Sequence, residues 1–376
     1  MKIKDVAIIG AGAAGSSAAF HLSRKGKSVF ILEKNSLDKH KSSAEGMSAA
    51  VQRLFPFELD SSIEEVINRV SFSWHLRDNV LAELPGKSPF WIVNRKNLDG
   101  LILRNSIECG AELLDNFNVK EIMREGNNWR LRSAKGNEVL VKSIVIADGS
   151  NSKWSKSFRL GPRILRQAKT TSLKLKGKGN LEKGTSRFEF GLVKFGFAWA
   201  FPTKEGINVG VGTFIGKDTS NRQKIIEKFL PSLGFETYEG EKKEQLLNIW
   251  DGHHRLDGEG IVVVGDAASL CDPFLAEGLR PALISGYEAA RCLDSWLMNE
   301  KKDLKEYTHI MKIRWGNSMA WGKRIAQVFY RFPKIGYELG IKRPTAPERI
   351  AQILSGDLNY EDIAQRSIKR LLLGKK

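Results

Sequence analysis

The stretch from Asp5 to Glu33 constrains this chain more than any other. DVAII (5–9) is a short apolar run, Gly10-Ala-Gly12-Ala13-Ala14-Gly15 follows, Ser16 to Arg24 is rich in small residues, and Ser28 to Leu32 is a second apolar run closed by the acid Glu33. Strand, glycine turn, helix and strand within about 30 residues form a βαβ unit whose two strands must be parallel. Gly10 permits the tight turn, Gly12 lets a pyrophosphate approach the backbone, and Gly15 packs helix against strand. The helix N-terminus, through Ala13 and Ala14, turns N–H groups and the positive end of its dipole toward the phosphates. Glu33 is placed to accept the adenosine ribose hydroxyls, with Lys34 beside it. The unit binds a dinucleotide but does not by itself separate FAD from NAD.

The chain has 376 residues, more than one core usually holds, so two domains and a helical tail are expected. Lys and Arg number 60 against 43 Asp and Glu, a net charge of +17 that attracts anionic lipid headgroups or an acidic partner protein. Basic residues recur between Lys153 and Lys183, and the tail from Ile368 reads IKRLLLGKK. No helix-turn-helix, zinc-finger or RNA-binding signature accompanies the charge, so nucleic acid is not the expected partner. Cys109, Cys271 and Cys292 form no CxxC pair, which fits a reducing compartment and no metal. His253 and His254 are adjacent, point to different sides and make a poor metal pair. No charged leader with an apolar core and no run of 18 apolar residues occurs, so a cytoplasmic chain is expected, with a peripheral membrane contact left open.

Late in the chain Ile261 to Val264 are four β-branched residues, followed by Gly265 and Asp266. Such a run makes a buried parallel strand, and a carboxylate at its carboxyl end suits a polyol. This stretch resembles the second FAD motif of the flavoproteins that include aromatic hydroxylases, halogenases and geranylgeranyl reductases. The resemblance implies FAD, with Asp266 on the ribityl chain. Asp148-Gly149 in IVIADGSNS looks like the DG motif of the same group, and Arg95 in NRKNLDGLIL matches its flavin-contacting arginine.

FGFAWAFP (195–202) is similar to the aromatic-x-Trp-x-Phe-Pro signature of the geranylgeranyl reductases. Alternation puts Phe197, Trp199 and Phe201 on one face of a strand and Ala198 and Ala200 on the other, an arrangement suited to an extended apolar substrate. The late motif continues as in that family through Gly265-Asp266-Ala-Ala, Pro273, Glu277-Gly278 and Leu279, and LSGDLNY (354–360) looks like its C-terminal pattern. Two departures stand out. Ala276 replaces a usual glycine, and SSAEGM (42–47) keeps the turn through Gly46 but lacks the family's cysteine.

The expected architecture is α/β: a Rossmann-like FAD-binding domain, an antiparallel-sheet substrate domain and a helical C-terminal region. The first is discontinuous, at 1–65, 95–155 and 255–300; the second takes 66–94 and 156–254; the third takes 301–376, where Trp315, Trp321, Phe329 and Tyr330, with Trp296 just before them, mix with Lys and Arg as a tunnel mouth, a membrane contact or core packing. The resemblance implies hydride transfer from reduced FAD to a carbon–carbon double bond of a polyprenyl substrate, with NADPH or a reduced ferredoxin-like protein as electron donor. A monooxygenase, halogenase or lycopene-cyclase-like enzyme and a prenyl-binding chaperone without flavin share the fold. No residue is singled out as catalytic.

Overall fold

A computed structural model describes residues 3–37, 43–86, 89–216, 221–343 and 345–365. The apolar runs at both ends of the sequence meet in one sheet. Its order is Asp257–Gly258, Ile261–Val263, Glu138–Ile146, Lys4–Ile9, Val29–Leu32, Glu112–Leu114, and the hairpin Val119–Glu125 and Asn128–Ser133 extends it beside Glu138–Ile146. Strands from Ile261–Val263 through Glu112–Leu114 pair in parallel. Ile9 pairs with Ile146 and Ile146 with Val263, so three strands end level and the turns at Gly10, Ala147 and Gly265 leave the sheet at one edge. That is where an open parallel sheet presents ligand-binding loops.

Helix Ala13–Arg24 packs between Arg95–Glu108 and Leu279–Leu297. Small residues allow the close approach: a Cβ on Gly286 would lie 2.4 Å from the Ala14 carbonyl oxygen, and Ser17 Oγ donates to Leu283 O at 2.9 Å.

A second sheet runs Gly240–Asn248, Gln167–Lys176, Gly206–Thr213, Gly196–Pro202, Thr185–Phe190, Arg69–Trp74, Arg77–Glu83. It departs from pure antiparallel order at one place, where Thr185–Phe190 pairs in parallel with Arg69–Trp74. The chain leaves this sheet after Glu83, builds much of the parallel sheet, and returns; strand alternation carries no trace of that long crossover. Ala198, Ala200, Val209 and Val211 turn to one face and bury against Ile226, Phe229 and Leu230. Phe197, Trp199 and Phe201 turn to the other.

A small third sheet, Ala44–Ser48, Phe90–Asn94 and Ile63–Ile67, bridges the two. It corrects the reading of Gly46, which is no turn but a strand residue opposite Ile92; a Cβ there would lie 2.4 Å from Phe90 Cζ, so the ring and not the backbone angle demands glycine.

The C-terminal helices are Lys305–Met311, a π-helical turn Lys312–Gly316, Asn317–Arg331, Pro333–Gly340 and Ala346–Ser355. Core packing accounts for Trp315, Phe329 and Tyr330, which are all buried. Trp315 Nε1 donates to Leu270 O at 2.8 Å, and the Tyr330 hydroxyl donates to Phe274 O at 2.7 Å. The tail IKRLLLGKK lies outside the described residues. Among the described residues no helix is long and apolar enough to cross a membrane.

Candidate functional site

One cavity opens along the edge where the three parallel strands end, and its far wall is the aromatic face of the second sheet. At its near end stand Gly12, Ala13 and Ala14. The three glycines of the first turn do different work. A Cβ on Gly10 (φ +107°) would fall 2.4 Å from Ala147 O, and one on Gly15 would fall 2.0 Å from Gly10 O, so both are needed for the protein's own packing. A Cβ on Gly12 would meet nothing within 4 Å, which leaves a cradle at a helix N-terminus. Glu33 is buried and clasps this turn, Oε2 accepting from Ala11 N at 3.0 Å and Oε1 from Asn35 N at 3.0 Å. It lies outside the cavity lining, as does Lys34, which is exposed.

Beyond the cradle, Ala147 and Gly149 line the cavity, the latter at φ +79°. Asp148 does not line it: its carboxyl, raised by burial, faces the turn at Ser152 to Trp154. Gly265 takes φ +61° and its N–H donates to Ser285 Oγ at 2.9 Å, which turns Asp266 into the cavity. Asn248, which no sequence motif marks, ties two of these turns together: its Nδ2 donates to Ser150 O and to Asp266 O, both at 2.9 Å.

Charge concentrates in the middle of the cavity. Arg95 opens helix Arg95–Glu108, whose N-cap Asn94 accepts from Asn97 N, and its guanidinium bonds Glu45 Oε2 at 2.8 Å and Asp99 Oδ2 at 3.1 Å. Burial opposes the Glu45 charge, yet Arg95 and Lys243 hold its carboxyl below the usual range. Among the described residues Asp266 has no cation so close. Burial, with Glu45 adding to it, pushes its pKa up to about 7. Glu277 also rises to about 7 through burial, although Arg280 stands 2.8 Å away.

These raised carboxyls predict a pH effect on the cofactor-free protein. Asp266 binds its proton more tightly folded than unfolded, so its contribution is full below the usual value of 3.8 and is lost as pH rises toward about 7. The melting temperature of Asp266→Asn should therefore fall less than that of the parent between pH 5 and pH 8. Equal falls, measured by calorimetry, would show that Asp266 is ionised throughout.

The segment Asp272 to Gly278 is built around a buried carboxylate. Asp272 Oδ1 accepts from Phe274 N at 2.7 Å and Leu275 N at 2.9 Å, and Oδ2 accepts from the Tyr360 hydroxyl at 2.8 Å. This brings Ala276, Glu277, Gly278 and Leu279 to the cavity, together with Leu354 from the C-terminal pattern, while Pro273 is buried away from it. Ala276 sits at φ +57°, a conformation that costs an L-residue about 1 kcal/mol; the departure from glycine is accommodated as strain and leaves the turn in place. Cys271 is buried, and burial pushes its thiol well up, so it is no thiolate. His254 pairs with Asp251 at 2.7 Å while His253 lies against Trp250, and among the described residues no His, Cys, Asp and Glu group is arranged to hold a metal.

At the far end Phe197, Trp199 and Phe201 are joined by Phe188 and Phe214. Ring centroids of Phe197 and Phe214 are 4.7 Å apart, those of Phe188 and Phe201 5.7 Å. Room for these rings comes from INVGVGTF: a Cβ on Gly210 would lie 2.2 Å from Trp199 Cζ2, and one on Gly212 2.6 Å from Phe214 Cζ. The alternation of Val and Gly is legible as a strand, yet the purpose of its glycines is not.

The donor set fits FAD: an open glycine cradle for a pyrophosphate, a carboxylate at a strand end for a polyol, and an apolar chamber beyond. Residues 5–82 match the FAD dependent oxidoreductase family DAO. The chain is 28% identical over 311 residues to digeranylgeranylglycerophospholipid reductase 1 of Methanopyrus kandleri, covering 75% of this chain and 78% of that protein. It is 26% identical over 393 residues to menaquinone reductase of Mycobacterium tuberculosis, covering 95% and 92%. Its fold matches a geranylgeranyl bacteriochlorophyll reductase-like protein of Thermoplasma acidophilum with a TM-score of 0.79 at 18% identity, over 96% of this chain and 93% of that one.

Proposed function

We propose that this chain, which belongs to the FAD-dependent oxidoreductases, reduces carbon–carbon double bonds of a geranylgeranyl or other polyprenyl group carried by a lipid. The observation that carries the reading is the continuous cavity that joins the Gly12 cradle to a chamber walled by Phe188, Phe197, Trp199, Phe201 and Phe214. FAD supplies the reducing electrons when bound. In this reading Gly12, Ala13 and Ala14 hold the pyrophosphate, Asp266 the ribityl hydroxyls, and Arg95, fixed by Glu45 and Asp99, stands beside the ring. Gly265, Gly278 and Leu279 shape the backbone there. The aromatic wall aligns the prenyl chain and keeps water from it, converting part of the reaction's entropy cost into binding. Electrons reach FAD from NADPH or from a reduced ferredoxin-like protein, the latter attracted by the net charge of +17. The lipid nature of the substrate also supports a peripheral membrane location.

The test is anaerobic photoreduction of the FAD-loaded protein followed by mixing with geranylgeranyl lipids. Reoxidation of the flavin together with saturated lipid supports the reading; reoxidation by oxygen alone overturns it. Trp199→Ala should raise KM for the lipid about thirtyfold, from the loss of roughly 2 kcal/mol of apolar contact, with the flavin spectrum unchanged. An unchanged KM would remove the aromatic wall from substrate binding.

A further inference from the structure

Trp315, Phe329 and Tyr330 of the C-terminal helices face inward, and a different set of apolar residues, Phe332 among them, faces out. Val328, Phe332, Ile335 and Leu339 are between 53% and 66% exposed. Val328 and Phe332 are four residues apart across the end of helix Asn317–Arg331. Phe332 is the N-cap of Pro333–Gly340, on which Ile335 and Leu339 follow at spacings of three and four, so these three form one stripe. The opposite side of that short helix is what holds it to the protein. A Cβ on Gly336 would approach Phe329 Cδ2 to 2.8 Å, and the buried Tyr337 donates its hydroxyl to Phe72 O at 3.1 Å. The helix therefore spends its small residues and its tyrosine inward and its large aliphatic side chains outward, the reverse of a helix that serves only to cover a core.

Exposed Arg324, Arg331, Lys334 and Arg343 flank the stripe, and the one acid on this short helix, Glu338, is 3.4 Å from Lys342. The corner between Asn317–Arg331 and Pro333–Gly340 also backs onto the cavity. Phe329, on its inner side, lies 5.2 Å from Phe190, whose ring is 5.8 Å from that of cavity-lining Phe197.

We propose that this helical corner docks the protein on an anionic lipid bilayer, with Phe332, Ile335 and Leu339 in the boundary between headgroups and acyl chains and Arg331 and Lys334 on the phosphates. Charge complementarity and the shared aromatic layer between the corner and the substrate wall select a lipid surface over a second protein. Apolar insertion and basic attraction together give stable interfacial binding where either alone is marginal. The purpose of the docking rests on the polyprenyl-lipid reading; the docking itself does not.

Flotation of the FAD-loaded protein with vesicles tests it, using phosphatidylcholine alone and phosphatidylcholine mixed with phosphatidylglycerol. The protein should float with the anionic vesicles and remain behind with the neutral ones. Phe332→Ser/Ile335→Ser/Leu339→Ser should weaken flotation by about tenfold or more, and Arg331→Ser/Lys334→Ser by about tenfold through loss of the anionic preference. Both variants alter exposed side chains and should keep the parent melting temperature and flavin spectrum. Flotation unaffected by the stripe variant, or absent altogether, overturns the proposal. So does stripe-dependent self-association without flotation, which makes a second copy the occupant, or flotation abolished only by removing residues 366–376. The assay contains no prenyl substrate, so a failed flavin reoxidation leaves this result standing, and the reverse holds equally.

Discussion

Gly12→Ala is expected to fold as the parent does and to bind FAD far more weakly, while Gly15→Ala loses stability whether FAD is present or not. The two glycines sit three residues apart in one turn, but the space around them differs completely. A methyl at Gly12 meets nothing within 4 Å, so the cofactor-free protein should melt within about 0.5 kcal/mol of the parent. The same methyl occupies the cradle into which a pyrophosphate must come, and should weaken FAD by about a hundredfold, the equivalent of losing one or two charge-assisted backbone hydrogen bonds. At Gly15 the methyl would lie 2.0 Å from the Gly10 carbonyl oxygen, a contact relieved only by moving helix against strand. Overpacking of that kind costs on the order of 3 kcal/mol. Calorimetry of the cofactor-free proteins and titration with FAD separate the two effects. If Gly12→Ala retains full affinity, the phosphates do not lie on this turn.

Arg95→Met is expected to be the most damaging single change in the middle of the cavity. Its guanidinium serves two carboxylates, Glu45 and Asp99, each with a side chain less than a quarter exposed. Removing the cation that the two carboxylates share weakens the compensation of both, with Lys243 still favouring the Glu45 charge, and costs roughly 3 kcal/mol. Arg95→Lys should recover only part of it, since a single ammonium cannot reproduce the two-sided bonding of the fork. The loss also reaches Asp266, because Arg95 opposes the rise of its pKa while Glu45 promotes it. Without Arg95 the Asp266 pKa should move higher still unless Glu45 takes up a proton first. Urea unfolding measures the stability loss and titration of the carboxyls by NMR the second effect; a variant as stable as the parent would show that Glu45 and Asp99 find other partners.

Features that depend on a few adjacent residues are legible in the sequence. The glycine turn, the β-branched run ending at Asp266 and the face shared by Phe197, Trp199 and Phe201 each carry their own local chemistry; Gly12, Asp266 and the three rings line the cavity, while Gly10, Gly15, Gly265, Glu33 and Lys34 stand back from it. Pairing between distant segments is not legible in the same way. Nothing near Arg95 announces Glu45, nothing near Asp272 announces Tyr360, and Asn248 gives no sign that it ties two turns together. The parallel pairing of Arg69–Trp74 with Thr185–Phe190 is of the same kind. Asp148 and Pro273 show the converse, for a residue type in the expected order does not reveal which way its side chain turns. For the C-terminal aromatics composition leaves exposure open, because burial is decided by what the helices pack on.

The level ending of three strands has a consequence for how the protein is made. The strands that carry the Gly12 cradle, Lys4–Ile9 with Val29–Leu32 and Glu138–Ile146 beside it, all lie in the first 150 or so residues, while the helix that opens at the cradle still awaits Leu279–Leu297 as its packing partner. The opposite side of the cavity, from Gly265 to Leu279, is translated more than 100 residues later and enters the sheet alongside Glu138–Ile146. A grip from both sides of the cavity therefore exists only once the chain through Leu279 has joined the sheet.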